Sequence, residues 1–385
     1  MPVFKNEDRK GTDCSKYDGA KAKFGTDDLL PMWVADMDFA VPKAVKKAID
    51  DRASHPIYAY TIYSDSFYQS IVEWYDKEFD WQIQKEWIVA EHGVVISINM
   101  AIDAFSKEGD GILVQTPIYP PFTSSIKRNK RKLVENRLIF EDGKTLIDWD
   151  DFEKKAKSAK LFLLCSPHNP STHAWSKEEL QRIVEICRKE NLIIVSDEIH
   201  SDFMLEGKHQ PIGQLKDARD ITITLHAPSK TFNIAGLNTS YVIIPNPKLR
   251  EAYTIAHQRV GLADGNPFGI TTLEAAYHEG KPWLDALKKQ LVKNSKYIQD
   301  FLSENIPQIT MIEHKATFLI WLDCRALEMD DEELKNFFIY KAKLGLNSGI
   351  DFGEAGSGFM RLNIAADNAH IVEAMNRLAS AIKKR

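Results

Sequence analysis

The chain has no close pair of cysteines. Its four, Cys14, Cys165, Cys187 and Cys324, lie far apart and form no Cys-x-x-Cys pair. That excludes a disulfide-stapled scaffold and a cysteine zinc site, and it suits reduced thiols in a cytoplasmic protein. No apolar run approaches the roughly 20 residues of a membrane span. The opening Met1-Pro2-Val3-Phe4-Lys5-Asn6-Glu7 lacks the apolar stretch and cleavage pattern of a secretory leader, so export is not expected. An excess of one charge is also missing. A net charge of -5 gives no reason to expect nucleic acid or a membrane as partner. Internal repeats and low-complexity segments are absent.

What is present is a chain of 385 residues, longer than one hydrophobic core usually grows, so two domains are the default. Residues 1–30 are polar and rich in turn formers, an arm expected to lie on another surface. Pro31 to Phe39 is an apolar run broken by Asp36 and Asp38; as a strand it would turn both acids to one wet face. Apolar segments then alternate with helical patterns. Strands are expected at Glu86–Ala90, Gly111–Gln115, Leu161–Cys165, Leu192–Ser196, Ile221–Leu225 and Thr239–Ile244. Nearly continuous apolar strands alternating with helices argue for an α/β fold with a parallel sheet covered on both faces. Ser176 with Glu179 three residues on makes a capping box for one of the helices.

A long helical pattern from Trp283 to Asn305 suits a connector, and a smaller α+β pattern follows. It has strands at Phe318–Leu322 and Phe359–Ile364, a helix over Asp331–Leu344 and a final helix lined by Ile371, Met375, Leu378 and Ile382. The expected division is an arm with part of the small domain at 1–40, a large domain at 41–283 and a small C-terminal domain at 284–385.

Polar residues gather where the strands end. Tyr119 follows one strand, Asn169 another, Asp197 and His200 a third, and Ser229 with Lys230 a fourth. Open α/β folds place their ligands at the carboxyl ends of their strands. Each residue alone has a plain explanation: Asn169 caps a turn, Asp197 caps a helix, His200 is a core histidine, Tyr119 only packs. Together they meet the needs of pyridoxal phosphate. Its aldehyde takes a lysine amine whose pKa is lowered by burial. Its ring withdraws electrons when a buried aspartate keeps the ring nitrogen protonated. The ring oxygen wants donors, and one ring face wants an aromatic neighbour. The strand–Gly93–helix turn offers free N–H groups to a phosphate. An amino-acid carboxylate wants a planar guanidinium, and Arg361 shares a strand face with Phe359 and Asn363. An interdomain salt bridge is the alternative role for Arg361.

The stretches Leu30-Pro31-Met32-Trp33-Val34-Ala35-Asp36-Met37-Asp38-Phe39, Thr116-Pro117-Ile118-Tyr119-Pro120-Pro121-Phe122, Cys165-Ser166-Pro167-His168-Asn169-Pro170, Ser196-Asp197-Glu198-Ile199-His200, Ala227-Pro228-Ser229-Lys230-Thr231-Phe232-Asn233 and Phe359-Met360-Arg361-Leu362-Asn363 resemble the fold-type I pyridoxal-phosphate enzymes. Within these they resemble the C–S lyases related to cystathionine β-lyase and cystalysin. The resemblance implies a mainly parallel large-domain sheet of the seven-stranded type with a smaller α+β domain. It implies Lys230 as the Schiff-base lysine, Asp197 as partner of the ring nitrogen, Asn169 and His200 near the ring oxygen, and Tyr119 stacked on the ring. Gly93, Val94, Val95 and Ser229 would line the phosphate. Arg361, with Asp36 nearby, would serve the substrate. Tyr60 would reach the neighbouring subunit's phosphate, and with Tyr119 it would take part in catalysis, which makes a homodimer the expected assembly.

The expected reaction is α,β-elimination from a sulfur amino acid such as cystathionine or cysteine. An aminotransferase would use the same lysine and aspartate. A regulator that keeps the fold but binds another protein is the alternative from another class. Two departures from the family pattern stand out. Ser171-Thr172-His173 follows Asn169-Pro170 where a threonine and a glycine are usual, and Asn238 stands where many aminotransferases have a phosphate-binding arginine.

Overall fold

The computed structural model describes residues 4–261 and 264–385. Its large sheet has seven strands: β1 (Ile88–Glu91), β2 (Gly111–Thr116), β3 (Lys132–Arg137), β4 (Leu161–Cys165), β5 (Ile193–Asp197), β6 (Thr222–His226) and β7 (Ser240–Ile243). Their order across the sheet is β1-β7-β6-β5-β4-β2-β3. β2 through β6 pair in parallel, whereas β7 is antiparallel to both β1 and β6. The expected parallel sheet is therefore mixed at one edge. Two antiparallel pairings in succession restore direction, so β1 points the same way as β6. The carboxyl ends of β1, β2, β4, β5 and β6 thus share one edge of the sheet.

The central strands are apolar throughout because both faces are covered. Every residue of Gly111–Thr116, Leu161–Cys165 and Thr222–His226 is buried. The helix Lys177–Lys189 turns Leu180, Ile183, Val184 and Cys187 inward. At its start the Glu179 N–H donates to Ser176 Oγ at 3.1 Å, and the Ser176 N–H donates to Glu179 Oε2 at 2.7 Å.

The long helix Lys281–Asn305 leads to a second, antiparallel sheet in the order Thr310–Met311, Leu319–Asp323, Phe359–Asn363, Asn347–Ser348. The final helix, Asn368–Lys383, buries Ile371, Met375 and Leu378, and Ile382 packs partly buried against the same core.

Two local expectations are corrected. The helix expected over Asp331–Leu344 ends at Asn336, widens into a π turn over Phe337–Lys341, and gives way to a short strand, Leu344–Gly345. That strand pairs in parallel with Leu30–Pro31, a tertiary pairing that overrides local helical spacing. Beyond Pro31 the 31–39 run is not a strand, and its acids do not share a wet face. Asp38 is only 1% exposed, because Lys16 Nζ at 2.7 Å, Arg9 Nη1 at 2.9 Å and Tyr17 OH at 3.0 Å surround its carboxylate. The polar arm does lie on the rest of the molecule, tied by Asn6 to Asp367 and by Glu7 N–H to the Asp38 carbonyl.

Ser176→Ala removes the cap acceptor and breaks the reciprocal pair. The expected loss in unfolding free energy is about 1 kcal/mol, read from denaturant midpoints at unchanged slope. A midpoint equal to that of the parent would contradict the capping account.

Candidate active site

The strands ending on the shared edge deliver the groups of the site. After β4 the chain turns through Ser166–Pro170 and presents Asn169. β5 ends on Asp197, and His200 begins the turn Ser201–Phe203. After β6 the one-turn helix Pro228–Thr231 carries Lys230. After β2, Tyr119 caps the helix Pro120–Arg128. After β1, Gly93 takes φ 150° and starts the helix Val94–Phe105. That φ favours glycine, and a Cβ built there meets nothing within 4 Å, so the backbone faces open space at a helix N-terminus. Val94 is buried and Val95 is exposed.

Asp197 is buried, and its Oδ1 accepts only the Ile199 N–H at 3.1 Å. Among the described residues no cation lies in salt-bridge contact with it. Burial raises its pKa to about 7 against the opposing pull of that N–H and the charge of Lys230. His200 is buried with Nδ1 unpartnered, and burial lowers its pKa to about 3, so the ring is neutral. Its edge meets Phe318. Lys230 Nζ donates to the Ala35 carbonyl at 2.7 Å. Burial lowers its pKa, opposed by Asp36 and Asp197 and aided by Arg361. Tyr119 is partly buried and its phenol is shifted up by burial, with Arg361 and Asp197 near enough to act on it.

Arg361 is only 4% exposed. Its guanidinium donates to Asn169 Oδ1 at 2.9 Å, the Trp33 carbonyl at 2.9 Å and Asn347 Oδ1 at 2.8 Å. All three acceptors are neutral, and among the described residues no carboxylate pairs with it. The interdomain salt bridge weighed from sequence is not formed. Nε is buried with no partner, the cation rests 4.8 Å from the Phe352 ring, and burial pulls its pKa down to about 10. A buried cation with an orphaned donor could take an anion.

The neighbours that sequence reasoning missed act mostly through the main chain. Asn347 faces Arg361 across two adjacent strands. Asn363 Nδ2 holds the Val34 and Asp36 carbonyls at 2.5 and 2.6 Å, and Asn233 holds the Met37 and Phe39 carbonyls at 3.0 Å each. Asn363 did share a strand face with Arg361, and Asn233 stood in the Lys230 stretch, so position gave a signal for both. Asp36 is engaged bidentately by Arg9, at 3.0 and 2.6 Å. Tyr60, 92% exposed, stands apart from these buried groups. Thr172 takes the left-handed φ of 64°, a strained value for a β-branched residue. Its N–H donates to the His168 carbonyl at 2.8 Å and its hydroxyl to the Glu313 carbonyl at 3.1 Å. Asn238, also left-handed at φ 46°, only closes the turn Ala235–Leu237.

The family model for aminotransferase class I and II matches residues 27–378. The chain belongs to that family. It is 41% identical over 386 residues to cystathionine beta-lyase PatB of Bacillus subtilis (strain 168), covering 99% of this chain and 100% of that protein. It is 33% identical to protein MalY of Escherichia coli (strain K12), covering 98% of this chain and 97% of the other. Among solved structures, cystalysin from Treponema denticola, which contains a pyridoxal 5'-phosphate cofactor, superposes with a TM-score of 0.96 at 35% identity, over 100% of this chain and 99% of that one.

The raised pKa of Asp197 gives a pH test on cofactor-free protein. A carboxyl that holds its proton more tightly when folded loses stability as pH climbs from the unfolded value near 3.8 to about 7. The neutral buried histidines act in the opposite direction as pH falls, so the comparison is with Asp197→Asn. The variant should gain on the parent across that window, by at most about 1.4 kcal/mol per pH unit. A difference that stays flat with pH would contradict the burial described here.

Proposed function

We propose that the chain is a pyridoxal 5'-phosphate-dependent carbon–sulfur lyase acting by α,β-elimination on cystathionine, cysteine or a related thio amino acid. The products would be a thiol or sulfide, pyruvate and ammonia. The observation that carries this reading is a set of buried polar groups gathered where the edge of the large sheet meets the small sheet, each lacking its natural partner among the described residues: Asp197 a cation, Arg361 an anion, His200 an acceptor or donor at Nδ1. An amino acid and a cationic aromatic ring supply what is missing. The full-length likeness to cystathionine beta-lyase PatB and to cystalysin favours elimination.

The residues fit the cofactor. Asp197 would hold the ring nitrogen, His200 and Asn169 would lie beside the ring oxygen, and Tyr119 would cover a ring face. The Gly93 turn, with Val94, Val95 and Ser229, would take the phosphate on N–H and hydroxyl donors. Asn238 adds no positive charge there. When bound, the cofactor supplies an aldehyde and an electron-withdrawing ring that stabilises negative charge at the substrate α-carbon. Lys230 takes the proton from that carbon; its lowered pKa keeps a larger fraction of the amine neutral and able to accept. Arg361 grips the substrate carboxylate with Nε and the open side of its fork, and so fixes which α-carbon bond faces Lys230. Asp36 borders this space and acts on Lys230 through its charge.

The division into 1–40, 41–283 and 284–385 goes with this reading, since Ala35, Lys230 and Arg361 come one from each part. A homodimer goes with it too. Ile57, Tyr58, Tyr60 and Ile62 form an exposed apolar run, suited to burial against a second copy, with Tyr60 reaching the neighbouring phosphate. The four free cysteines suit a reducing cytoplasm. Among the described residues no helix is long and apolar enough to cross a membrane. Amino exchange is the second reading, since the family model itself is that of aminotransferases.

Lys230→Ala should lower cystathionine turnover by at least about a thousandfold while thermal unfolding stays cooperative; near-normal pyruvate release would end the lyase assignment for Lys230. Arg361→Ala should lower kcat/KM for cystathionine by more than about tenfold, chiefly through KM. A smaller change would remove Arg361 from carboxylate binding. Amino exchange with a keto acid in place of pyruvate release would favour the second reading.

A further inference from the structure

The stretch Trp33–Met37 has neither helix nor strand, yet its consecutive carbonyls serve the site. Trp33 O accepts from Arg361 at 2.9 Å, Val34 O and Asp36 O from Asn363 at 2.5 and 2.6 Å, Ala35 O from Lys230 at 2.7 Å, and Met37 O from Asn233 at 3.0 Å. Irregular backbone does not hold such a register by itself. It is gripped on its other side by the N-terminal arm. Arg9 places both nitrogens of its fork on the Asp36 carboxylate, at 3.0 and 2.6 Å, and also reaches Asp38 Oδ1 at 2.9 Å and the Met37 carbonyl at 3.2 Å. Lys16 completes the cluster on Asp38 at 2.7 Å and stands 3.8 Å from Asp36. Two acids and two cations balance.

We propose that Arg9 is a positioning residue for the reaction: by clamping Asp36 it sets the Trp33 and Ala35 carbonyls against Arg361 and Lys230, and it neutralises the carboxylate that faces Lys230. The part concerning substrate rests on the lyase reading above. The part concerning charge does not. The charged groups that act on Lys230 are Asp36, Arg361 and Asp197, with neutral His200 beside them; those on Asp36 are Arg9 and Lys16. Without Arg9, two acids face one cation, and the excess negative charge favours the protonated state of the nitrogen at position 230. A planar fork also fixes the rotation of the carboxylate it holds, which a lysine cannot do.

The test uses the full chain loaded with pyridoxal phosphate, carrying Arg9→Met, Arg9→Lys, Asp36→Asn or the Arg9→Met/Asp36→Asn pair. Two quantities are read: the pH midpoint of the cofactor's visible absorbance, and kcat and KM separately with cystathionine. Arg9→Met should raise the midpoint by about 0.5 to 1 pH unit and raise KM about tenfold with a smaller change in kcat. Arg9→Lys should recover most of the midpoint but not KM. In the Asp36→Asn background, Arg9→Met should add little, because the two act as one unit.

An unmoved midpoint in Arg9→Met, or losses from Arg9→Met and Asp36→Asn that simply add, would overturn the proposal. If Arg9→Met does not fold, Arg9→Lys decides, and an unchanged KM in that variant overturns it. The midpoint is read without cystathionine, so a chain that proves inactive on that substrate still tests the clamp.

Discussion

A buried carboxylate sits at the carboxyl end of a central strand, and among the described residues no cation pairs with it. Asp197 accepts a single N–H, and burial lifts its pKa to about 7. Burying a charge without a partner is costly, and the cost persists in a fold only where something else repays it. Arg361 poses the mirror problem: a cation closed in by neutral oxygens and an aromatic ring, with one donor left over. Two opposite charges buried close to one lysine, each without a counterion among the described residues, suit the two proposed occupants, a cationic cofactor ring at Asp197 and a substrate carboxylate at Arg361.

The large sheet provides the first half of that arrangement. Its parallel strands bring Asn169, Asp197 and Lys230 to one edge, and the doubly reversed β1 brings the Gly93 turn to the same edge. The small sheet provides the second half. Arg361 reaches across to Asn169, a residue 192 positions earlier in the chain, so the two sheets meet through the site itself. The arm closes the third side by offering carbonyls as the hydrogen-bond acceptors of Lys230 and Arg361, while its acids stay bound to Arg9 and Lys16 and Asp36 acts on Lys230 only through its charge. Neutral acceptors orient these cations without quenching their charge.

Much of this was legible in the residues, for a physical reason. Covered parallel strands must be apolar from end to end, so Leu161–Cys165 and Ile193–Asp197 announce themselves, and the polar residue that ends each run stands out against it. What stayed hidden depended on partners far away in sequence. The reversal of β7 is set by its neighbours, not by its own Ser240–Ile243. The Phe337–Phe338 segment keeps helical spacing but yields to the pairing of Leu344 with Leu30. Asp38 looked like a solvated acid because nothing near it in sequence foretells Lys16 and Arg9 folding back over it. For side-chain bonds to main-chain carbonyls, such as Asn363 to Val34, the strand face marked the side chain, but nothing in the sequence marked which carbonyl it would hold. Thr172 is a different case: a β-branched residue disfavours a left-handed backbone, and two hydrogen bonds accompany that conformation here.

The central claim is that the amine at position 230 binds the cofactor aldehyde while Asp197 supports the ring. The most direct measurement is borohydride reduction of the cofactor-loaded protein, followed by proteolysis and mass analysis of the labelled peptide. The account predicts a single reduced pyridoxyl adduct on Lys230, with the same label much weakened in Asp197→Asn. An adduct on another lysine, or none on a protein that retains its colour, would contradict it.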